Sequence, residues 1–281
     1  MTIGVGILTP DSVVLAADTQ MSWTDFFMKT GEGKVSWSAK TEPRGTAPSL
    51  TAGMAITGAG HAKYVQHIQR HFANLITTDK HPSLADFRAH AETYLESFYK
   101  KHVAPISAKE SERPNVWLLF AYQNADNEVA LFSTSNNVVT PEHTYGVVGV
   151  GAPYAEMLLS RLFRMFWPIQ TEEAILSAVY VIKNVKDNVP DCGKETDLIF
   201  LSKTGAVVLG PQTMKMLDAL MEEAAFLEPY TISGIMSGRF KTETDTLPSA
   251  IAELRRKIID CLHTDMAYSL WLRNIHVKVN S

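Results

Sequence analysis

The first eighteen residues carry the strongest constraint on the fold. Ile3-Gly4-Val5-Gly6-Ile7-Leu8 is followed by Thr9-Pro10-Asp11-Ser12 and then by Val13-Val14-Leu15-Ala16-Ala17, which ends on Asp18. Each apolar run has the length of a strand, and the proline and aspartate between them are turn formers. Two strands joined by so short a turn form an antiparallel hairpin. That hairpin brings the start of the chain beside the Asp18 end of the second strand.

The pattern downstream alternates strands with helix pairs. Residues 19–50 are polar, with weak strand signals at Lys34-Val35-Ser36-Trp37; Thr51 to Thr57 is apolar, and Gly58-Ala59-Gly60 punctuates it. His61 to Ile76 places Val65, Ile68, Phe72 and Ile76 on one helical face. Pro82-Ser83 with Asp86 opens a second helix through Phe98. Strands are predicted for Val116 to Tyr122, Val129 to Ser133 and Tyr145 to Val150. Helices follow from Pro153 to about Phe166 and from Thr171 to about Val185, then a hairpin of Leu198 to Leu201 and Ala206 to Leu209 around Ser202-Lys203-Thr204-Gly205. This order predicts an α+β fold: a four-layer αββα sandwich of two antiparallel sheets with outer helix pairs. Residues 1–210 form the main domain. Residues 211–281 form a mainly helical extension expected to pack on it, with helical signals at Met214 to Phe226 and Ile251 to Leu270.

Composition narrows the function. Of 281 residues, 46% are hydrophobic and the net charge is −4, so the chain has material for a full core and lacks the basic excess of a nucleic-acid binder. Two cysteines, Cys192 and Cys261, are too few for a disulfide framework. The N-terminal apolar run is too short for a signal peptide, and no window has the length of a membrane span. A soluble cytoplasmic protein is expected, with no nucleic-acid or membrane partner.

The chemistry is concentrated at the chain start. A threonine freed at the N-terminus can supply both the attacking hydroxyl and, in its own α-amine, the base. The reference pKa of that amine, roughly 7.7–8.0, leaves a useful neutral fraction near pH 7. Thr2 takes that role once Met1 is removed; a chain retaining Met1 has an amide there and is inert. A buried lysine paired with a carboxylate would favour the alkoxide. Asp18 and Lys34 stand at equal steps, 18 − 2 = 16 and 34 − 18 = 16, with Lys29 a rival for the lysine. The glycine turn Thr57-Gly58-Ala59-Gly60 offers a backbone N–H for the oxyanion. Other features read as structural. His67 and His71 have zinc-compatible spacing without a following glutamate, and Cys192 has no placed histidine.

Together, Thr2, the block Val13 to Thr19 and Lys34 resemble the nucleophile, aspartate and lysine of the proteasome β-subunit superfamily, which includes the bacterial HslV-type and Anbu-type peptidases. Thr57-Gly58-Ala59-Gly60-His61-Ala62 resembles its oxyanion turn, with Gly58 the counterpart, and Val148 to Ala155 resembles the opening of its third helix; the resemblance spans residues 2 to 210. It implies an N-terminal nucleophile hydrolase without a metal or cofactor. It also implies polypeptide substrates, self-assembly into homo-oligomeric rings or spirals, and service by an ATP-dependent unfoldase. The chain departs from the pattern in three places. Val150 stands where a serine is usual, Gln20 where a basic residue is frequent, and the aspartate before a Ser-Gly pair becomes Asp187, with Asp191 competing, ahead of Cys192-Gly193. These departures leave room for a catalytically silent scaffold subunit, or for a small-molecule amidase of the same fold.

Overall fold

In the computed structural model, residues 2–23, 28–31, 34–44, 47–77, 82–107, 109, 113–166, 168–202, 205–222, 256, 257 and 260 are described. The chain divides into two compact units, Met1–Val208 and Leu209–Ser281.

The first unit is built on two five-stranded antiparallel sheets. β1 (Ile3–Leu8) and β2 (Ser12–Asp18) form the expected hairpin, with Gly4 opposite Ala17 and Leu8 opposite Val13. Its turn is closed by Thr9, whose Oγ1 accepts from the Ser12 N–H at 2.9 Å while its own N–H donates to the Ser12 carbonyl at 2.8 Å. This sheet runs β10-β1-β2-β11-β12, adding β10 (Tyr145–Gly149), β11 (Thr196–Ser202) and β12 (Gly205–Val208). The other sheet runs β5-β6-β7-β8-β9: Ser36–Arg44, Ala47–Gly60, Val116–Gln123, Val129–Ser135 and Val138–Glu142. A small separate pair is formed by β3 (Gln20–Trp23) and β4 (Met28–Gly31).

Helices α1 (Ala62–Thr77) and α2 (Leu84–Phe98) lie on the β5–β9 sheet, and α3 (Ala152–Phe166) and α4 (Thr171–Asn188) lie on the other. The expected four layers are therefore present. Ser83 caps α2 by accepting from the Asp86 N–H at 3.2 Å, and a capping box of Gln170 and Glu173 opens α4. The α2 helix runs on through a π turn at Tyr99–Val103 and a 3-10 turn at Ala104–Ile106, which the sequence pattern did not mark.

Strand alternation divides the core in two. Met54, Ile56, Leu118, Phe120 and Tyr122 pack outward against Phe72, Phe87, Leu95 and Phe98 of the helices. Ala55, Leu119, Ala121 and Leu131 pack inward against Val13, Leu15, Val148 and Ile199 of the other sheet. β2 is buried along its whole length because α4 covers its outer face, which is why its sequence lacks polar alternation. Burial of this many aliphatic and aromatic side chains, at roughly 1.5–3 kcal/mol each, opposes the chain entropy lost on folding. The residues of β9 carry Pro141 and did not read as a strand. As the sheet's edge, β9 tolerates a residue with no N–H to give.

In the second unit, residues 211–222 are helical, and Met214, Leu217, Leu220 and Met221 are buried at helical spacing. The remainder of the expected Met214 to Phe226 helix, and nearly all of Ile251 to Leu270, lie outside the described residues. The same holds for Lys203 and Thr204 of the last hairpin turn. Among the described residues no helix is long and apolar enough to cross a membrane.

Candidate active site

The hairpin register sets the site. Asp18 ends β2 one step beyond the Gly4–Ala17 pair, so its carboxylate reaches back over the start of β1. Its Oδ1 accepts from the Ile3 N–H at 3.0 Å and from the Thr2 hydroxyl. Lys34 Nζ completes the group, 2.5 Å from Thr2 Oγ1 and 2.9 Å from Asp18 Oδ1, with a further bond to the Gln20 carbonyl. The structure thus brings together Thr2, Asp18 and Lys34, three of the five residues expected in the site. Asp18 is fully buried and the Lys34 side chain is 9% exposed, so this ion pair is largely withheld from water.

Lys34 is held from both sides of the sandwich. Its backbone N–H donates to Asp197 Oδ2 of β11 at 2.8 Å, and its carbonyl accepts from Gln69 Nε2 of α1 at 3.2 Å. Burial draws its ammonium below the usual lysine range, while the Asp18 charge pulls the other way. A cation this close to Thr2 Oγ1 lowers the cost of forming an alkoxide, and the low local polarity enlarges the effect.

The second carboxylate oxygen of Asp18 has a different partner: Oδ2 accepts from the Gly193 N–H at 3.0 Å. The same stretch is stitched to β2 where the Thr19 N–H donates to the Glu195 carbonyl and the Glu195 N–H donates to Thr19 Oγ1, both at 3.0 Å. Cys192 beside it is buried, and its thiol is pushed up to about 12 by that burial and by the Asp18 charge. A thiol so held stays protonated at neutral pH and is no nucleophile. Gln20 also belongs to this neighbourhood. Its amide is buried, its Nε2 has no hydrogen-bond partner among the described residues, and its Oε1 lies 2.7 Å from where a Cβ on Gly193 would stand. In the sequence Gln20 stands out only as a departure from the family pattern; the bond its carbonyl accepts from Lys34 leaves no mark there.

Gly149 closes the other flank. It has φ +106°, and a Cβ there would lie 2.1 Å from the Thr2 carbonyl oxygen, so only glycine allows β10 to approach the chain start this closely. Gly60 shows the same need at the end of β6, with φ +107° and the Asn115 carbonyl oxygen 2.0 Å from a Cβ.

The two other expected residues take no part in the hydrogen bonds that join Thr2, Asp18 and Lys34 among the described residues. Gly58 lies within β6 opposite Leu118, and the space of its missing side chain faces Leu118 and Val65, on the helix side of the sheet. Asp187 stands on the exposed face of α4, 3.6 Å from Lys183 one turn earlier; among the described residues no hydrogen bond joins it to Thr2, Asp18 or Lys34. The helical phase of α4 turns it outward, whereas the residues that reach Asp18 come after the helix, at Gly193. Val150 is 42% exposed and brings no hydroxyl. His71, from the zinc-compatible pair, stacks on Tyr94 with ring centroids 3.6 Å apart and lies 3.4 Å from His90 between their Nε2 atoms.

Comparison of the whole chain with solved structures identifies the fold. Anbu (ancestral beta-subunit) from Yersinia bercovieri matches 82% of this chain and 96% of its own, with a TM-score of 0.60 and 11% sequence identity. The helical assembly of the Anbu complex from Pseudomonas aeruginosa matches at 0.63 and 15% identity, over 82% of this chain and 95% of that one. A Gly-1 mutant of Anbu from Hyphomicrobium sp. strain MC1 matches at 0.59 and 15%, over 83% and 100%. No family model matches the sequence, and no curated protein does. The fold is the one these Anbu structures share.

Proposed function

We propose that the protein is a threonine peptidase in which Thr2, exposed by removal of Met1, is both nucleophile and base. The observation that carries this reading is the placement of the Thr2 hydroxyl between the Lys34 ammonium and the Asp18 carboxylate. Thr2 Oγ attacks the substrate carbonyl carbon, and its proton passes to the freed α-amine. Lys34 stabilises the charge building on Oγ, and Asp18 keeps Lys34 in place. A Gly58 backbone N–H takes the oxyanion. The intermediate collapses to an ester on Thr2 as the amine product leaves with a proton, and water then hydrolyses the ester. Asp187, exposed and paired with Lys183, is given no step.

Unfolded polypeptide is the substrate class this reading favours, delivered in the cytoplasm by an ATP-dependent unfoldase to a homo-oligomer of the chain. The assembly is supported by likeness to the Pseudomonas protein, which is described as a helical assembly. The decisive experiment compares wild type with Thr2→Ala. Protein with Thr2 at its N-terminus cleaves an unfolded protein and is labelled at Thr2 by an electrophilic inhibitor; Thr2→Ala loses about 10³-fold or more of that activity. Cleavage that survives Thr2→Ala rejects the reading.

A second reading, a silent scaffold subunit, draws on Val150 and the outward-facing Asp187, which leave the amine without the hydroxyl and carboxylate expected beside it. Intact mass separates the two. Uniform retention of Met1 in purified protein favours the scaffold.

A further inference from the structure

A cavity of the first unit, walled in part by the strand that meets the chain start, has a chemistry distinct from that of the candidate site. It holds about 490 Å³ and opens between β10 of one sheet and β7, β8 and β9 of the other. Its place relative to Thr2 follows from the registers. Val148, on its wall, pairs with Gly4, and Gly149 next to it pairs with Ile3 and meets the Thr2 carbonyl. Trp117, on the opposite wall, pairs with Ala59, whose Cβ is 3.3 Å from the position a Cβ on Gly149 would take. Lys34 bonds to Thr2 directly, whereas the cavity wall is linked to it through Gly149, the neighbour of Val148, and Ala59, the partner of Trp117. The wall of this cavity thus lies within a few residues of the chain start, in reach of a polypeptide held at Thr2.

We propose that this cavity receives a basic side chain of the substrate, lysine or arginine, a specificity that rests on the peptidase reading. Among the described residues, the ionisable groups on its wall are all acids: Glu142, Glu156 and the Tyr145 phenol. No lysine, arginine or histidine lines it, and no ion pair engages either glutamate among the described residues. Both carboxylates act on one place, since burial and then the charges of Glu156 and Glu142 push the Tyr145 hydroxyl up. Glu142 is oriented by Ser133, whose hydroxyl donates to Oε1 at 2.5 Å, which leaves Oε2 for a ligand. Trp117, an indole left 36% exposed on the wall, offers the aromatic face that an ammonium or guanidinium prefers. Five serines and threonines supply further acceptors. An acidic substrate side chain would meet two like charges there, so the cavity rejects as well as selects.

The test uses the whole chain carrying Thr2→Ala, which binds without cutting, and acetylated, amidated peptides with one arginine at successive positions of an alanine-rich sequence. Each is compared by calorimetry with its citrulline counterpart, which keeps the shape and loses the charge. At one position arginine binds at least tenfold more tightly than citrulline, and raising salt narrows the difference. Adding Glu142→Gln with Glu156→Gln removes it, and Trp117→Leu reduces it with both charges retained. Equal binding of all arginine and citrulline pairs overturns the proposal, as does a preference that persists in the double glutamine variant. Cleavage by the wild type is scored in parallel. Peptides cut with no preference for a basic residue overturn the cavity assignment and leave the peptidase reading standing. An arginine preference in an inactive wild type removes the peptidase reading and keeps the cavity as a site for basic peptides.

Discussion

The two oxygens of Asp18 face two differently built regions. Oδ1 gathers the Thr2 hydroxyl, the Ile3 N–H and the Lys34 ammonium, a group in which side chains carry the chemistry. Oδ2 receives a backbone N–H from Gly193, and the stretch around it contributes main-chain bonds, a buried protonated thiol and an exposed aspartate on the preceding helix. On the proposed reading the first region activates a hydroxyl, and the second clamps the carboxylate that organises the first. Substitutions in the two should therefore fail in different ways, one losing rate and the other losing little or losing structure.

The largest effect is expected at Lys34. Lys34→Ala removes the cation from the hydroxyl and leaves Asp18 buried and unpaired. Loss of a well-placed electrostatic group costs about 10²–10³ in rate, and the stranded carboxylate costs about 3–5 kcal/mol of stability; peptide turnover and urea denaturation would read the two separately. A variant with more than a tenth of wild-type turnover would break the comparison at its stronger side.

Next is Gly149→Ala, which tests packing without touching a reacting group. A methyl group here meets the Thr2 carbonyl in a backbone region that L residues avoid. Destabilisation of at least about 2 kcal/mol is expected in denaturant titration. A stability unchanged within error would show that β10 does not press on the chain start.

Cys192 gives the pH test. Its thiol holds its proton to about 12 in the folded chain, against an ordinary value of 9.0. The folded state therefore binds more protons than the unfolded one between those values, so this contribution is complete below pH 9 and declines as pH rises above it. Cys192→Ser should flatten the fall in stability between pH 9 and 10.5. In the native protein iodoacetamide should leave the thiol almost unmodified at pH 8, as peptide mass mapping would show. Rapid native labelling would put a reactive thiolate in what is here a structural region.

The smallest effect is expected for Asp187→Asn. Its exposed pair with Lys183 contributes about 0.3–0.5 kcal/mol at most, and turnover should stay within about twofold of wild type. A large loss of activity would give this residue a role that its outward placement does not support.

How much of this was legible in the sequence depends on the distance over which each feature is encoded. The hairpin, the helix caps and the juxtaposition of Thr2 with Asp18 follow from local patterns, since Pro10, Ser83 and the apolar runs act on their neighbours. Lys34 was found through its spacing, although the contacts that hold it come from Gln69 and Asp197, far along the chain. β9 was missed because Pro141 argues against a strand until the sheet's edge is known. Asp187 was matched by motif, but the phase of α4 decides which way it faces, and that phase is set by Ala178, Val181, Ile182 and Val185 packing inward. The cavity has no signature at all, because its walls come from four strands and a helix.

The bond from Gly193 to Asp18 spans 175 residues, and the one from Asp197 to Lys34 spans 163. Neither can form on the ribosome until nearly 200 residues have emerged, after every strand of the β5–β9 sheet has been made. A nascent or truncated chain therefore carries the threonine, the aspartate and the lysine without the anchors that align them. On the proposed peptidase reading, competence to cut arrives late in folding, a safeguard for the cell making the protein.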